Sequence, residues 1–142
     1  EPVKFDTVFI DAPCSGTGTM RRHPEIPWRL TENDVTTELP KLQLTMLKEA
    51  AARVAAGGEL IYATCSVFDE ENTQVVEAFL NSPEGAGFTV APLSEAQILQ
   101  LPEFAQAKKL VSVRQNDRGL FQSVPVNADS YDGHFCARLI HN

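Results

Sequence analysis

The chain has 142 residues, 43% hydrophobic and 22% charged, with 19 acidic against 12 basic side chains and a formal net charge of −7. These values fit one globular domain of cytoplasmic type: no apolar run approaches the ~20 residues of a membrane span, and the acidic opening "EPVKFD" lacks the basic and apolar regions of a signal peptide. So acidic a balance makes the chain a poor candidate for autonomous, sequence-blind phosphate binding, and any contact with nucleic acid must be local or shared with another segment.

In chain order, "FDTVFI" (5–10) is apolar and rich in β-branched and aromatic residues, stops at Asp11-Ala12-Pro13, and reads as a parallel strand buried on both faces. A Gly-rich turn follows. "RRHPEIPWR" (21–29) holds two prolines that argue against a regular helix, so an ordered loop is expected. Thr31 is placed to cap a short helix over 32–39. Pro40 suits the first turn of the next, whose stripe Gln43, Met46, Leu47, Ala50, Ala51 and Val54 runs on until Gly57-Gly58.

"ELIYA" (59–63) repeats the buried-strand signal, and Asp69 is placed to cap a helix through about Asn81 with Val75, Val76, Phe79 and Leu80 inward. Further on, a strand is expected near 87–91, a short helix near 94–100, and extended segments near 110–115 and 119–126. "HFCARLI" (134–140), introduced by Asp132-Gly133, reads as a final strand pairing antiparallel with its predecessor. The fold class is α/β: a partial Rossmann-like sheet made of a parallel βαβ unit and a C-terminal antiparallel strand pair, its functional loops at the carboxyl ends of the parallel strands. So few strands after so short a start look like half of a larger α/β domain.

Three cysteines, Cys14, Cys65 and Cys136, are odd in number and far apart, with no spacing that suggests a disulfide framework or a metal site, and they read as free thiols. Cys14 follows the first strong strand and Cys65 the second. If those strands are neighbours, about 4.7–4.9 Å apart, both thiols reach one cleft with Asp11 beside them. An activated thiolate can add to an electron-poor carbon while a carboxyl group holds or protonates the substrate. Free cysteine is also a common core residue. Cys136 has no special context and is assigned to the core, whereas Cys14 lies in an Asp-Ala-Pro-Cys-Ser-Gly turn and Cys65 between two hydroxyl residues.

"DAPCSGTG" (11–18) with "RRHPEI" (21–26), "YATCSVFDEEN" (62–72) and the closing "DGHFCARLI" (132–140) together resemble the Sun/Fmu branch of the NOL1/NOP2/Sun family of RNA cytosine-5 methyltransferases. The resemblance covers essentially the whole chain and implies S-adenosylmethionine as cofactor, RNA (ribosomal RNA by branch) as partner, no metal and no membrane. It implies that Cys65 is the nucleophile adding to carbon 6 of cytosine and that Cys14 assists breakdown of the covalent intermediate. It further implies that Asp11 contacts the target base beside the cofactor, that Pro13 shapes the turn, and that Asn72 ties the Cys65 loop in place. Family members bind the cofactor through a Gly-rich loop after a strand, and no such loop precedes Phe5. Residues 1–142 are therefore expected to be the C-terminal, catalytic part of the methyltransferase domain, with the cofactor-binding part absent. In the closing motif His134 stands where the family has a second Phe.

Arg21, Arg22 and His23, just past the Cys14 loop, are candidates for the RNA backbone or for pairing with nearby acids. Trp28 is a candidate for stacking on a base or for loop packing. Asp69, Glu70 and Glu71 are read as first-turn acids favoured by the helix dipole. Two rival functions are weighed. A cysteine phosphatase needs five residues between Cys and Arg, but six separate Cys14 from Arg21. The other rival is a non-catalytic methyltransferase half serving as an interaction module.

Overall fold

The computed structural model describes residues 2–92, 113–128 and 130–142. The described strands form one six-stranded sheet. They are β1 (Phe5–Asp11), β2 (Val54–Thr64), β3 (Phe88–Val90), β4 (Val113–Gln115), β5 (Phe121–Ser123) and β6 (Phe135–His141). The order is β1-β2-β6-β5-β4, with β3 pairing the far part of β6. Only β1 and β2 are parallel, in a register that sets Ile10 opposite Tyr62 and Asp11 opposite Ala63. β6 inserts antiparallel between β2 and β5. The expected short helix near 94–100 lies outside the described residues, while the extended segments near 110–115 and 119–126 are present as β4 and β5.

Among the described residues three α-helices accompany the sheet: α1 (Ile26–Arg29), α2 (Leu39–Ala51) and α3 (Thr73–Leu80). Leu47 and Ala51 of α2 and Val75, Val76 and Phe79 of α3 meet Ile10, Leu60, Tyr62, Ala137 and Leu139 in a single core on one face of the sheet. Leu60, Tyr62, Phe79 and Leu139 are wholly buried, each contributing about 1.5–3 kcal/mol by leaving water.

Several local expectations are corrected. The residues of 5–10 are not covered on both faces: Ile10 is buried, but Phe5 and Phe9 remain 52% and 61% exposed. Among the described elements β1 lies at the edge of the sheet, and the helices pack against one side of it. The loop 21–29 contains the single turn α1, which accommodates Pro27 because a first-turn residue has no intrahelical N–H bond to lose.

Thr31 does cap its helix, its hydroxyl accepting from the Asp34 amide while Asp34 accepts from Thr31 N–H and O–H. That helix does not end at Leu39. It runs through a π turn (Asp34–Glu38) straight into α2. Pro40 has no N–H and its ring crowds the preceding turn, so the helix widens there instead of breaking. At the other end, α2 stops at Ala51, not at 56. The chain turns at Arg53, whose carbonyl accepts from Phe5 N–H, and the wholly buried Val54 already pairs with Phe5. Two steps along β1 then match five along β2, so residues 55–58 bulge out with Gly57 at φ 75°.

Candidate active site

β1 and β2 run parallel side by side, so the turns that leave them emerge at the same edge of the sheet. Cys14 lies three residues beyond the end of β1 and Cys65 one residue beyond the end of β2. Their sulfurs stand 3.3 Å apart, both thiols free and partly buried. Burial, and then the hydrogen bond with Cys65, pushes the Cys14 thiol up to about 12, against the pull of the Gly16 and Cys65 backbone amides. At neutral pH Cys14 is therefore a protonated thiol, able to donate to the Cys65 sulfur.

A buried polar network fixes the two turns to each other. Glu71, wholly buried, accepts from the Ser15 amide at 2.7 Å and the Gln43 side-chain amide at 3.1 Å through one carboxyl oxygen, and from the Ser66 hydroxyl through the other. Its main-chain carbonyl accepts from the Tyr62 hydroxyl at 2.6 Å. Asn72 accepts from the Thr64 hydroxyl at 2.6 Å and donates to the Ser66 carbonyl at 2.9 Å, so it does tie down the Cys65 turn. Gln43 also donates to the Pro13 carbonyl, reaching the Cys14 turn from α2.

The helix expected from Asp69 is interrupted for the same purpose. Asp69–Glu71 form a 3-10 turn, Asn72 leaves helical geometry (φ −112°, ψ −99°), and α3 starts only at Thr73. Asp69 does not cap the backbone; its carboxyl accepts from the Gln74 amide instead. Nor is Glu71 a solvated first-turn acid, because it faces inward to donors supplied by residues far away in sequence. The signal available in the sequence was the pair of polar residues, Ser15 and Ser66, each following a cysteine.

A second clamp reaches the Cys14 turn from the far end of the chain. Gly18 donates to the Cys65 carbonyl, and the Gly18 carbonyl accepts from Gly133 N–H at 2.8 Å. The backbones of Gly18 and Gly133 come so close that a Cβ on Gly18 would fall 1.9 Å from the Gly133 oxygen. Asp132, next in line, accepts from Arg21 Nε at 2.5 Å and Arg22 Nε at 2.7 Å, and these two guanidinium groups hold its carboxyl below the usual range. Arg21 also reaches the Ser130 carbonyl.

The structure thus brings Cys14, Cys65 and Pro13 together at one edge, with Asp11 exposed on the last position of β1. Arg21 and Arg22 are engaged with Asp132, although Arg22 keeps 60% of its side chain exposed. His23 lies 3.5 Å from Glu25. Trp28 is 89% exposed and is not packed into the loop. Cys136 is a partly buried residue of β6 whose thiol is pushed up by burial. Among the described residues no cluster of His, Cys, Asp and Glu could hold a metal ion, and no helix is long and apolar enough to cross a membrane.

The sequence model of the 16S rRNA methyltransferase RsmB/F family matches residues 1–140. This chain belongs to the RsmB/F family. A relative named ribosomal RNA small subunit methyltransferase B, from Pectobacterium atrosepticum, is 36% identical over 138 residues, which are 97% of this chain and 27% of that protein. The crystal structure of PH0851 superposes with a TM-score of 0.73 at 34% identity, covering 94% of this chain and 26% of the other. A crystal structure of a methyltransferase homolog protein from Pyrococcus horikoshii superposes with a TM-score of 0.68 over 99% of this chain and 40% of that one; at 23% identity it speaks for the fold alone. The chain spans about a quarter of the length of the curated relatives it matches. The RsmB/F match runs through both cysteine turns and the closing Asp132-Gly133 segment, the parts that meet in the site.

Proposed function

We propose that this chain is the catalytic part of a longer S-adenosylmethionine-dependent methyltransferase domain that modifies carbon 5 of cytosine in RNA, with small-subunit ribosomal RNA as substrate and the cytoplasm as its place of work. The observation that carries this reading is the approach of two free sulfurs to 3.3 Å at the carboxyl ends of adjacent parallel strands. Carbon 5 of cytosine is a poor nucleophile. Addition of a thiolate to carbon 6 moves the ring's double-bond electrons toward carbon 5, which can then take an electrophilic methyl group; loss of the carbon 5 proton and departure of the thiolate restore the aromatic ring.

Family resemblance gives Cys65 the attack and Cys14 the breakdown of the adduct. The local chemistry agrees, since a Cys14 thiol that stays protonated is suited to donate a hydrogen bond to its neighbour and poorly suited to attack. Asp11 offers an exposed carboxyl at the strand end, fit to accept from the amino edge of the base and to lie at one corner of the cofactor. The cofactor supplies an electrophilic methyl group on a sulfonium. Pro13 shapes the turn that carries Cys14, and the exposed part of Arg22, with Arg21 behind it, faces an RNA phosphate.

Two further features support a partner segment that completes the domain. β1 is an edge strand, and Phe5 and Phe9 on its outer face are more than half exposed, as expected of a strand that another strand and helix should cover.

The test uses the whole protein with small-subunit ribosomal RNA and S-adenosylmethionine. Cys65→Ala should abolish both methyl transfer and the covalent protein–RNA adduct, because no thiolate reaches carbon 6. Cys14→Ala should still attack and transfer, then accumulate an adduct that survives denaturing electrophoresis. An adduct with the Cys65 variant and none with the Cys14 variant would reverse the roles, and full activity of both variants would remove thiol catalysis.

A further inference from the structure

Glu71 is a wholly buried acid for which the thiol chemistry above has no use, and its two oxygens go to different places. Oε1 accepts from the backbone N–H of Ser15, the residue after Cys14, and Oε2 accepts from the hydroxyl of Ser66, the residue after Cys65. One carboxyl group therefore ties the neighbour of one cysteine to the neighbour of the other, across 51 positions of sequence. The other side-chain ties between the turns are longer: Ser15 and Ser66 share a hydroxyl contact of 3.3 Å, Thr17 and Ser66 one of 3.4 Å, and Val67 N–H donates to the Thr17 hydroxyl at 3.2 Å, while one backbone bond, Gly18 N–H to the Cys65 carbonyl, joins them beyond the cysteines. Gln43 braces the same Oε1 from α2, and Tyr62 fixes the Glu71 main chain from β2, so the acid cannot swing away.

We propose that Glu71 is a positioning residue for the thiol pair: it sets the spacing of the Cys14 and Cys65 sulfurs by bonding Ser15 and Ser66 at once. The proposal deepens the functional reading above and draws its catalytic meaning from it. Adduct formation and breakdown by two different thiols on one carbon need both sulfurs within reach of a single base, and small errors in such placement are costly in rate.

The experiment reads the spacing without RNA or cofactor, so its failure and the failure of the methyltransferase reading can be told apart. Phenylarsine oxide, a trivalent arsenical, bridges two neighbouring thiols: two As–S bonds form, and the two thiol protons leave with the arsenic-bound oxygen as water. It is titrated on the whole protein, and protection of Cys14 and Cys65 from N-ethylmaleimide is followed peptide by peptide by mass spectrometry. Glu71→Gln keeps the shape and the Ser15 arm but places an NH2 group where Ser66 needs an acceptor. Ser66→Ala removes the same arm from the other side.

Each variant should weaken bridging by about tenfold, and the double variant should be no weaker than either single one, since both cut one bond. Alkylation of Cys65 by a monofunctional reagent should stay within about twofold of wild type, because one thiol needs no partner; general loosening would raise it and lower the melting temperature instead. Wild-type bridging in folded Glu71→Gln and Ser66→Ala proteins would overturn the proposal. If Glu71→Gln does not fold, wild-type bridging in Ser66→Ala alone overturns it. Loss of bridging together with unchanged methyl transfer would leave Glu71 in its place and refute the catalytic use of the pair.

Discussion

The Cys14 thiol is the residue whose environment has the clearest consequence. Burial first, and the bond to Cys65 second, raise it from the ordinary value of 9.0 to about 12, and only the thiolate is alkylated. Cys14 should therefore label slowly with iodoacetamide near pH ~8 and keep accelerating as the pH rises past ~9. A rate that levels off at about pH 10, as that of a thiol with the ordinary value of 9.0 would, read by peptide mass mapping, would contradict the burial argument. The stability effect has a definite sign. An unfolded chain releases this proton near 9.0 and the folded chain only near 12, so between those values the unfolded state binds fewer protons and stability falls as pH rises. Below that window the thiol adds no pH dependence. Asp132 works in the opposite direction: Arg21 and Arg22 lower its folded value, so its contribution is present at neutral pH and is lost as acid carries the pH down through that lowered value. The meeting of the two cysteine turns was legible in the sequence, whereas the place of Glu71 was not, because an acid beside a helix start looks the same whether it faces water or Ser15 and Ser66.

Among the elements, strands and helices followed their apolar periods; apart from β1, whose apolar run was read as covered on both faces, the misreadings lie where one element takes its shape from another. The π turn before Pro40, the early end of α2 at Ala51 and the break at Asn72 each place a side chain or backbone group that a distant segment requires. The Gly18 and Gly133 contact belongs to this class, since two turns 115 positions apart share one narrow space. Gly18→Ala sets a Cβ 1.9 Å from a backbone carbonyl that cannot move without shifting β6, while Gly57→Ala meets nothing within 4 Å and suffers only from its φ of 75°. Thermal melts should rank them accordingly. Gly57→Ala should cost about 1–2 kcal/mol from the left-handed backbone, and Gly18→Ala at least about 3 kcal/mol from overpacking. Equal melting temperatures for the two variants would mean that the Cys14 turn is not pressed against residue 133.

For the whole molecule, the parallel β1 and β2 with their α2 crossover were readable from two apolar runs and a helical stripe, and that unit alone brings the thiols to one edge. The antiparallel pairing of β6 with β5 was readable too, but the pairing of β6 with β2 was not, because antiparallel partners more than 70 positions apart leave no local signal. The most consequential property at this scale is the uncovered side of β1. On the reading proposed above, Asp11 at the strand end is the residue of this chain placed beside the cofactor, and Phe5 and Phe9 of the same strand face solvent. A ligand of that size is held by burying most of its surface in a preformed cleft, and an open strand edge buries little. On the proposal that a further segment of the domain covers this edge, the 142 residues by themselves should bind S-adenosylmethionine weakly, with a Kd of about 1 mM or poorer, and adding the cofactor should leave their melting temperature unchanged. Isothermal titration calorimetry and thermal melts measure both. The longer protein should bind tightly and melt higher with the cofactor present, and its Phe9→Ser variant should lose stability where the same change in the 142-residue chain costs little. Tight, stoichiometric binding by the 142 residues alone would place the cofactor site within them and remove the need for a covering segment.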